Sequence, residues 1–174
     1  MNKSAAIVGL YAAVISGCAS GTRTAVVPAA SASTAQRFES LKQLAGRWEM
    51  SMPAGEAPAV CEFKVIAGGS TLVETMFPGQ PHEMINMYTV DGDAIVATHY
   101  CAAGNQPHMK LAGGSATDFP FVSTGVTNLH SRDEDHMMDV RIVMHTPDHV
   151  TTSWRGQQKG KVGEHAVFDF KRVK

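Results

Sequence analysis

From Arg47 onward, apolar side chains recur at every second position in short runs, and turn residues interrupt these runs about every ten positions. Alternation of this kind puts one face of each run into a core and the other into water, because successive side chains on a strand point to opposite faces. The runs are read as strands near 47–52, 60–67, 71–77, 83–90, 94–101, 108–111, 121–126, 137–146, 150–155 and 166–173. Asp91-Gly92-Asp93 is the strongest hairpin signal, and Ala67-Gly68-Gly69-Ser70 is another tight connection. No segment between the runs is long enough for a crossover helix, which excludes an α/β fold. Ahead of them, Thr34 to Leu44 carries a helix pattern, with Thr34 as N-cap and Phe38, Leu41 and Leu44 on one face. So long a meander leaves exposed edges unless it closes. The expected fold is therefore all-β, an antiparallel up-and-down β-barrel of about 8–10 strands with a short N-terminal helix. A two-sheet sandwich is the alternative.

A chain of 174 residues with 44% hydrophobic and 18% charged residues has enough apolar mass for one domain, without disulfides or a metal to hold it. Its net charge of −1 carries no basic footprint for nucleic acid. The compositional oddities are the eight histidines and ten methionines.

The first residues read as a leader. Lys3 supplies the positive charge, and Ala5 to Ile15 is an apolar run too short for a permanent span. Ile15-Ser16-Gly17-Cys18 then resembles the lipobox of bacterial lipoproteins, which implies cleavage before Cys18 and acylation of its sulfur. Residues 1–17 are thus expected as a signal peptide, 18–34 as a flexible tether and 35–174 as the barrel domain. Ala19, in place of an aspartate, resembles the sorting pattern of outer-membrane lipoproteins. The expected place is the cell envelope, facing the periplasm, with the membrane as partner through a lipid and not a protein span. A tether of about 17 residues of this composition reaches roughly 20–25 Å.

Within the domain, Ile95, Ala97, His99 and Cys101 share one face of their strand, and no charged residue lies between Ala94 and Gly104. If that face lines the barrel, His99 and Cys101 are polar groups in an apolar lumen, joined by Glu74 and Asn86, which also sit among apolar neighbours. Pockets are mostly apolar with a few placed polar groups, so these four are candidate ligand contacts. Asn105 and Gln106 fall in the loop just beyond and complete the candidate set. A buried histidine bonded within the core is the other reading of His99.

Cys61 and Cys101 remain as an even pair once Cys18 is acylated, and an oxidising compartment favours a disulfide between them; two free thiols are the other arrangement. Met50 and Met52, His108-Met109, His136-Met137-Met138 and Met144-His145 supply soft ligands suited to copper(I). Methionine is also an adaptable core filler, neighbours on a strand face opposite ways, and no zinc spacing occurs, so neither a metal nor another cofactor is expected. Nucleophile elbows, Walker loops and paired-carboxylate signatures are missing from the sequence, and an enzyme is not the expected class.

Leu44-Ala45-Gly46-Arg47-Trp48-Glu49 resembles the opening strand of lipocalin-like, calycin-type domains, in which a Gly-X-Trp lays the indole across the closed end of the barrel. The likeness continues through 67–74, His82-Glu83-Met84, Tyr88, 91–93, 98–101 and Asn105-Gln106-Pro107, and is similar to uncharacterised bacterial lipocalin-like domains. It implies a barrel closed by Trp48 and brings no activity. A more distant likeness is to nitrobindin-type haem barrels, which would make His165 the iron ligand, although Ser51-Met52-Pro53-Ala54-Gly55 departs from that family's segment after the tryptophan. Four functional expectations follow: a small, mainly apolar ligand in the barrel, a structural or interaction lipoprotein with a filled barrel, a haem- or copper-binding barrel, or, less favoured, an enzymatic or redox-active one using His99, Cys101 and Glu74.

Overall fold

A computed structural model describes residues 32–50, 52 and 57–174. The leader, Cys18, most of the tether and residues 51 and 53–56 lie outside the described residues. Helix α1 spans Ala32–Lys42, followed by β1 (Gly46–Met50), β2 (Ala59–Ile66), β3 (Thr71–Met76), β4 (Met84–Asp91) and β5 (Ala94–Tyr100). The chain continues through β6 (Gln106–Leu111), β7 (Asp118–Thr127), β8 (His136–Thr146), β9 (His149–Gln158), β10 (Lys161–Val162) and β11 (Ala166–Arg172).

Each strand from β1 to β9 pairs antiparallel with the next, β9 pairs with β11, and β11 returns to β1. Ten strands therefore close an up-and-down barrel, and the two-residue β10 is a short addition on β9. The barrel expectation is borne out. Closure is set by alternation: Trp48, Cys61, Phe63, Leu72, Tyr88, Ile95, Ala97, Met109, Phe121, Ile142 and Phe170 are all buried on the inner face.

One end is sealed. Phe38, Leu41 and Leu44 turn inward from α1 and the turn after it, and the indole Nε1 of Trp48 donates to Leu44 O at 2.8 Å. Arg172 lies over the Trp48 ring at 4.2 Å and donates to the carbonyls of Ala45 and Gln43, tying the last strand to the helix turn. Gly46 makes this approach feasible: its φ of +134° suits glycine, and a Cβ there would stand 2.7 Å from the Arg172 guanidinium. Thr34 is not an N-cap, because α1 begins at Ala32; its hydroxyl instead donates to Asp93 O at 3.1 Å and pins the helix to the β4–β5 turn.

The opposite end carries the β3–β4, β5–β6 and β7–β8 loops and the β9–β11 connection. A β-bulge at Met137/Asp139 in β8 faces Gly156 of β9, whose missing Cβ allows the His136 carbonyl to come close.

Candidate functional site

A file of polar side chains crosses the apolar interior. It is built by register: Glu74 of β3 stands directly opposite Asn86 of β4, and Asn86 opposite His99 of β5. The two-residue turn at Gly92-Asp93 sets the second pairing, since Asp91 opposite Ala94 brings Asn86 opposite His99 five positions on. The signal Asp91-Gly92-Asp93 locates the hairpin, while the register depends on Gly92 and Asp93 being the two loop residues. Glu74, Asn86 and His99 are 1%, 0% and 0% exposed.

Glu74 receives three hydrogen bonds. Tyr88 Oη donates to Oε2 at 2.6 Å, Asn86 Nδ2 donates to Oε2 at 2.9 Å, and the Cys61 thiol donates to Oε1 at 3.2 Å. Burial pushes the Glu74 carboxyl above its ordinary pKa, while these three donors pull it back toward the ionised form. Burial, reinforced by the neighbouring carboxylate, pushes the Cys61 thiol and the Tyr88 phenol well up, so both keep their protons and remain donors.

The network determines the chemistry of His99. Asn86 spends its amide hydrogens on Glu74 and on Met76 Sδ, so its Oδ1 faces His99 Nδ1 at 2.7 Å as an acceptor. Nδ1 must then carry the imidazole hydrogen, which leaves Nε2 with a bare lone pair. Burial lowers the His99 pKa to about 4, so the ring is neutral at pH 7. Nε2 has no hydrogen-bond partner among the described residues.

On its other side His99 packs against the Trp154 indole of β9, ring centroids 5.1 Å apart. Trp154 Nε1 and the Thr152 hydroxyl, one inward position away on β9, are likewise buried without partners among the described residues. Trp154 also forms part of the wall of a pocket of about 310 Å³ at the open end, together with Cys101, Met137, Gly156 and Ala166. A second pocket there, about 280 Å³, lies between Met52, Val60, Phe77 and His82.

The candidate residues from the sequence thus separate. Glu74, Asn86 and His99 are brought together, and Cys101 lies half-buried at the rim, in the wall of the larger pocket. Asn105 is 1% exposed and clamps two loops by donating to Asp135 O at 2.9 Å. Gln106 stands apart: Pro107 and Met109 take the inner positions of β6, and the Gln106 amide turns back to Gly104 O. Cys61 and Cys101 are free thiols. The disulfide is not formed because β3 and β4 stand between their strands, an offset of about 14 Å along the sheet against a reach of about 7 Å.

His165 sits on the outer face, where its Nδ1 meets Ser153 Oγ at 3.0 Å, and so does not face the interior as an iron ligand would. The His-Met pairs are split by alternation: Met109 and Met144 are buried, while His108 bonds Thr98 and Thr127, and His145 bonds Thr151. Among the described residues no group of three His, Cys, Asp or Glu side chains could hold a metal ion. Cys61, singled out in the sequence only as a disulfide candidate, is a donor to Glu74, and Tyr88 and Trp154 are not among the candidate ligand contacts; for Trp154 the signal is its alternation with Val150 and Thr152.

No family model matches the chain, and no curated protein matches it by sequence. Among solved structures the chain is similar to the crystal structure of Rv2717c from M. tuberculosis, at a TM-score of 0.54 and 11% identity, over 79% of this chain and 98% of that one. At that identity the likeness concerns the barrel fold.

Proposed function

We propose that this protein is a lipid-anchored envelope protein whose barrel takes up a small, mainly apolar ligand through its open end. The observation that carries the reading is the pair of unmatched polar atoms, His99 Nε2 and Trp154 Nε1, buried beside the larger pocket. A buried polar group without a partner costs about 1–3 kcal/mol, and a ligand that satisfies it recovers that cost. The pocket wall sets Met137, Ala166 and the Trp154 ring beside Asp135, His136 and Glu164, so an apolar body and polar groups can both be met there. Anchoring rests on the Ile15-Ser16-Gly17-Cys18 motif behind its apolar run.

The test of binding uses residues 18–174 with Cys18→Ser, which retain α1 and β1 to β11. The neutral fluorophore N-phenyl-1-naphthylamine should bind with saturation, and native mass spectrometry of protein from its own host membrane should show a small-molecule adduct. If neither is seen, the filled-barrel interaction protein becomes the better reading. That second reading is favoured by the closed half, where Trp48, Tyr88, Phe119, Phe121 and Ile142 are completely buried. For the anchor, Cys18→Ser in the full chain should abolish incorporation of labelled fatty acid; undiminished labelling would remove the lipoprotein assignment.

A further inference from the structure

Resting on the binding reading above, we infer that His99 and Trp154 form a head-group site that selects a neutral ligand bearing a hydroxyl group. The hydroxyl donates to His99 Nε2 and accepts from Trp154 Nε1–H. Both atoms are buried and unpartnered, and the two rings lie 5.1 Å apart, centroid to centroid.

The selection follows from fixed hydrogen-bond directions. Indole nitrogen is only a donor. His99 Nε2 is only an acceptor, because the Glu74–Asn86 file commits Nδ1 as the donor. A ligand group placed between them must accept on one side and donate on the other. An alcohol or phenol does both with one atom; an ether only accepts, and a carboxylate or phosphate monoanion in this position brings charge. Charge is disfavoured here: Glu74 lies two residues along the file, and among the described residues no lysine or arginine bonds any member of it. The Thr152 hydroxyl, unpartnered on the same face of β9 as Trp154, is the natural second contact for such a group.

The site is covered, since His99 is 0% and Trp154 2% exposed. Trp154 is at once the wall of the open-end pocket and the neighbour of His99, so the ligand's head reaches His99 past the indole edge, whose N–H it then engages, while its apolar body remains in the pocket. The file beyond His99 then acts as a positioning relay: it holds the tautomer without touching the ligand.

The experiment measures displacement of N-phenyl-1-naphthylamine from residues 18–174 with Cys18→Ser by 2-naphthol, 2-methoxynaphthalene and 2-naphthoate. These share a ring system and differ in what they offer the pair. The phenol should bind about tenfold more tightly than its methyl ether, and the carboxylate more weakly than the phenol. His99→Leu should reduce the phenol-to-ether ratio to near one while ether binding persists. Trp154→Phe, a smaller change to the fold, should weaken both and keep the ratio. Phenol and ether binding within twofold of each other in the parent protein would overturn the head-group site while leaving pocket binding intact, and so would preference for 2-naphthoate. Absence of binding by the fluorophore itself would overturn the ligand-binding reading and this inference with it.

Discussion

Acidification from pH 7 to 4.5 should cost this barrel about 2.5 kcal/mol of folding stability through His99 alone. In the native protein burial lowers its pKa to about 4, against 6.5 in the unfolded chain. Between those values the unfolded chain binds a proton at this position and the barrel does not. The stabilisation is thus complete above pH 6.5, falls as the pH drops, and levels off near pH 4, where the native ring also protonates. At 1.36 kcal/mol per unit the whole gap is worth about 3 kcal/mol, most of it inside the window. Glu74 acts in the opposite sense: its raised native pKa means that acidification through the carboxylate range adds a proton to the folded form first. Asp118 and Asp169, held low by hydrogen bonds from Arg141 and His149, withdraw their stabilisation only at lower pH. All three groups are present in His99→Gln, so the difference between the two proteins isolates the histidine. Urea melts of both at pH 7.0, 6.0, 5.0 and 4.5 measure it, with a proton NMR titration of the His99 ring alongside. A parent-minus-variant difference that moves by less than about 1 kcal/mol over the window, or a ring titrating near 6.5, would refute the buried neutral tautomer.

Trp48→Ala should destabilise the fold by about 3–5 kcal/mol in denaturant melts, since it empties the sealed end and strips the face under Arg172; a loss below about 1 kcal/mol would mean that the indole does not close the barrel. Gly46→Ala should cost roughly 1–3 kcal/mol, because its Cβ meets the guanidinium at 2.7 Å and its φ is +134°; thermal melts matching the parent would contradict that geometry. In the Cys18→Ser protein one thiol, Cys101, should react with a disulfide reagent under native conditions and the second, Cys61, only after unfolding, while resistance of both in denaturant without reductant would reveal a disulfide.

The strands were legible because alternation is a local property. Ten of the eleven strands among the described residues can be read from it, and the other, β10 at Lys161–Val162, is too short to show a period. The inward direction of His99 was only half legible: Ile95 and Ala97 share its face and are buried, but Val96, Thr98 and Tyr100 leave the opposite face uncharged as well. What it touches was less so. Asn86 follows from the hairpin register, but Trp154 reaches His99 across the lumen from β9, and only barrel closure brings those faces together. Gln106 was misplaced for a local reason: β6 begins at Gln106, and Pro107 is its first inward residue. Thr34 shows tertiary contact overriding a capping preference, as its hydroxyl serves the β4–β5 turn.

The seam between β1 and β11 sets a clock on synthesis. Trp48 pairs with Arg172, and the Arg172 guanidinium reaches the Gln43 carbonyl across 129 positions of chain. A nascent chain lacking β11 therefore exposes the edges of β1 and β9 and leaves the indole uncovered, a state prone to pairing with other chains. Contacts so distant in sequence also close slowly. Until β11 arrives, the chain must be kept apart from its copies, and one arginine both pairs across the last seam and covers the Trp48 indole.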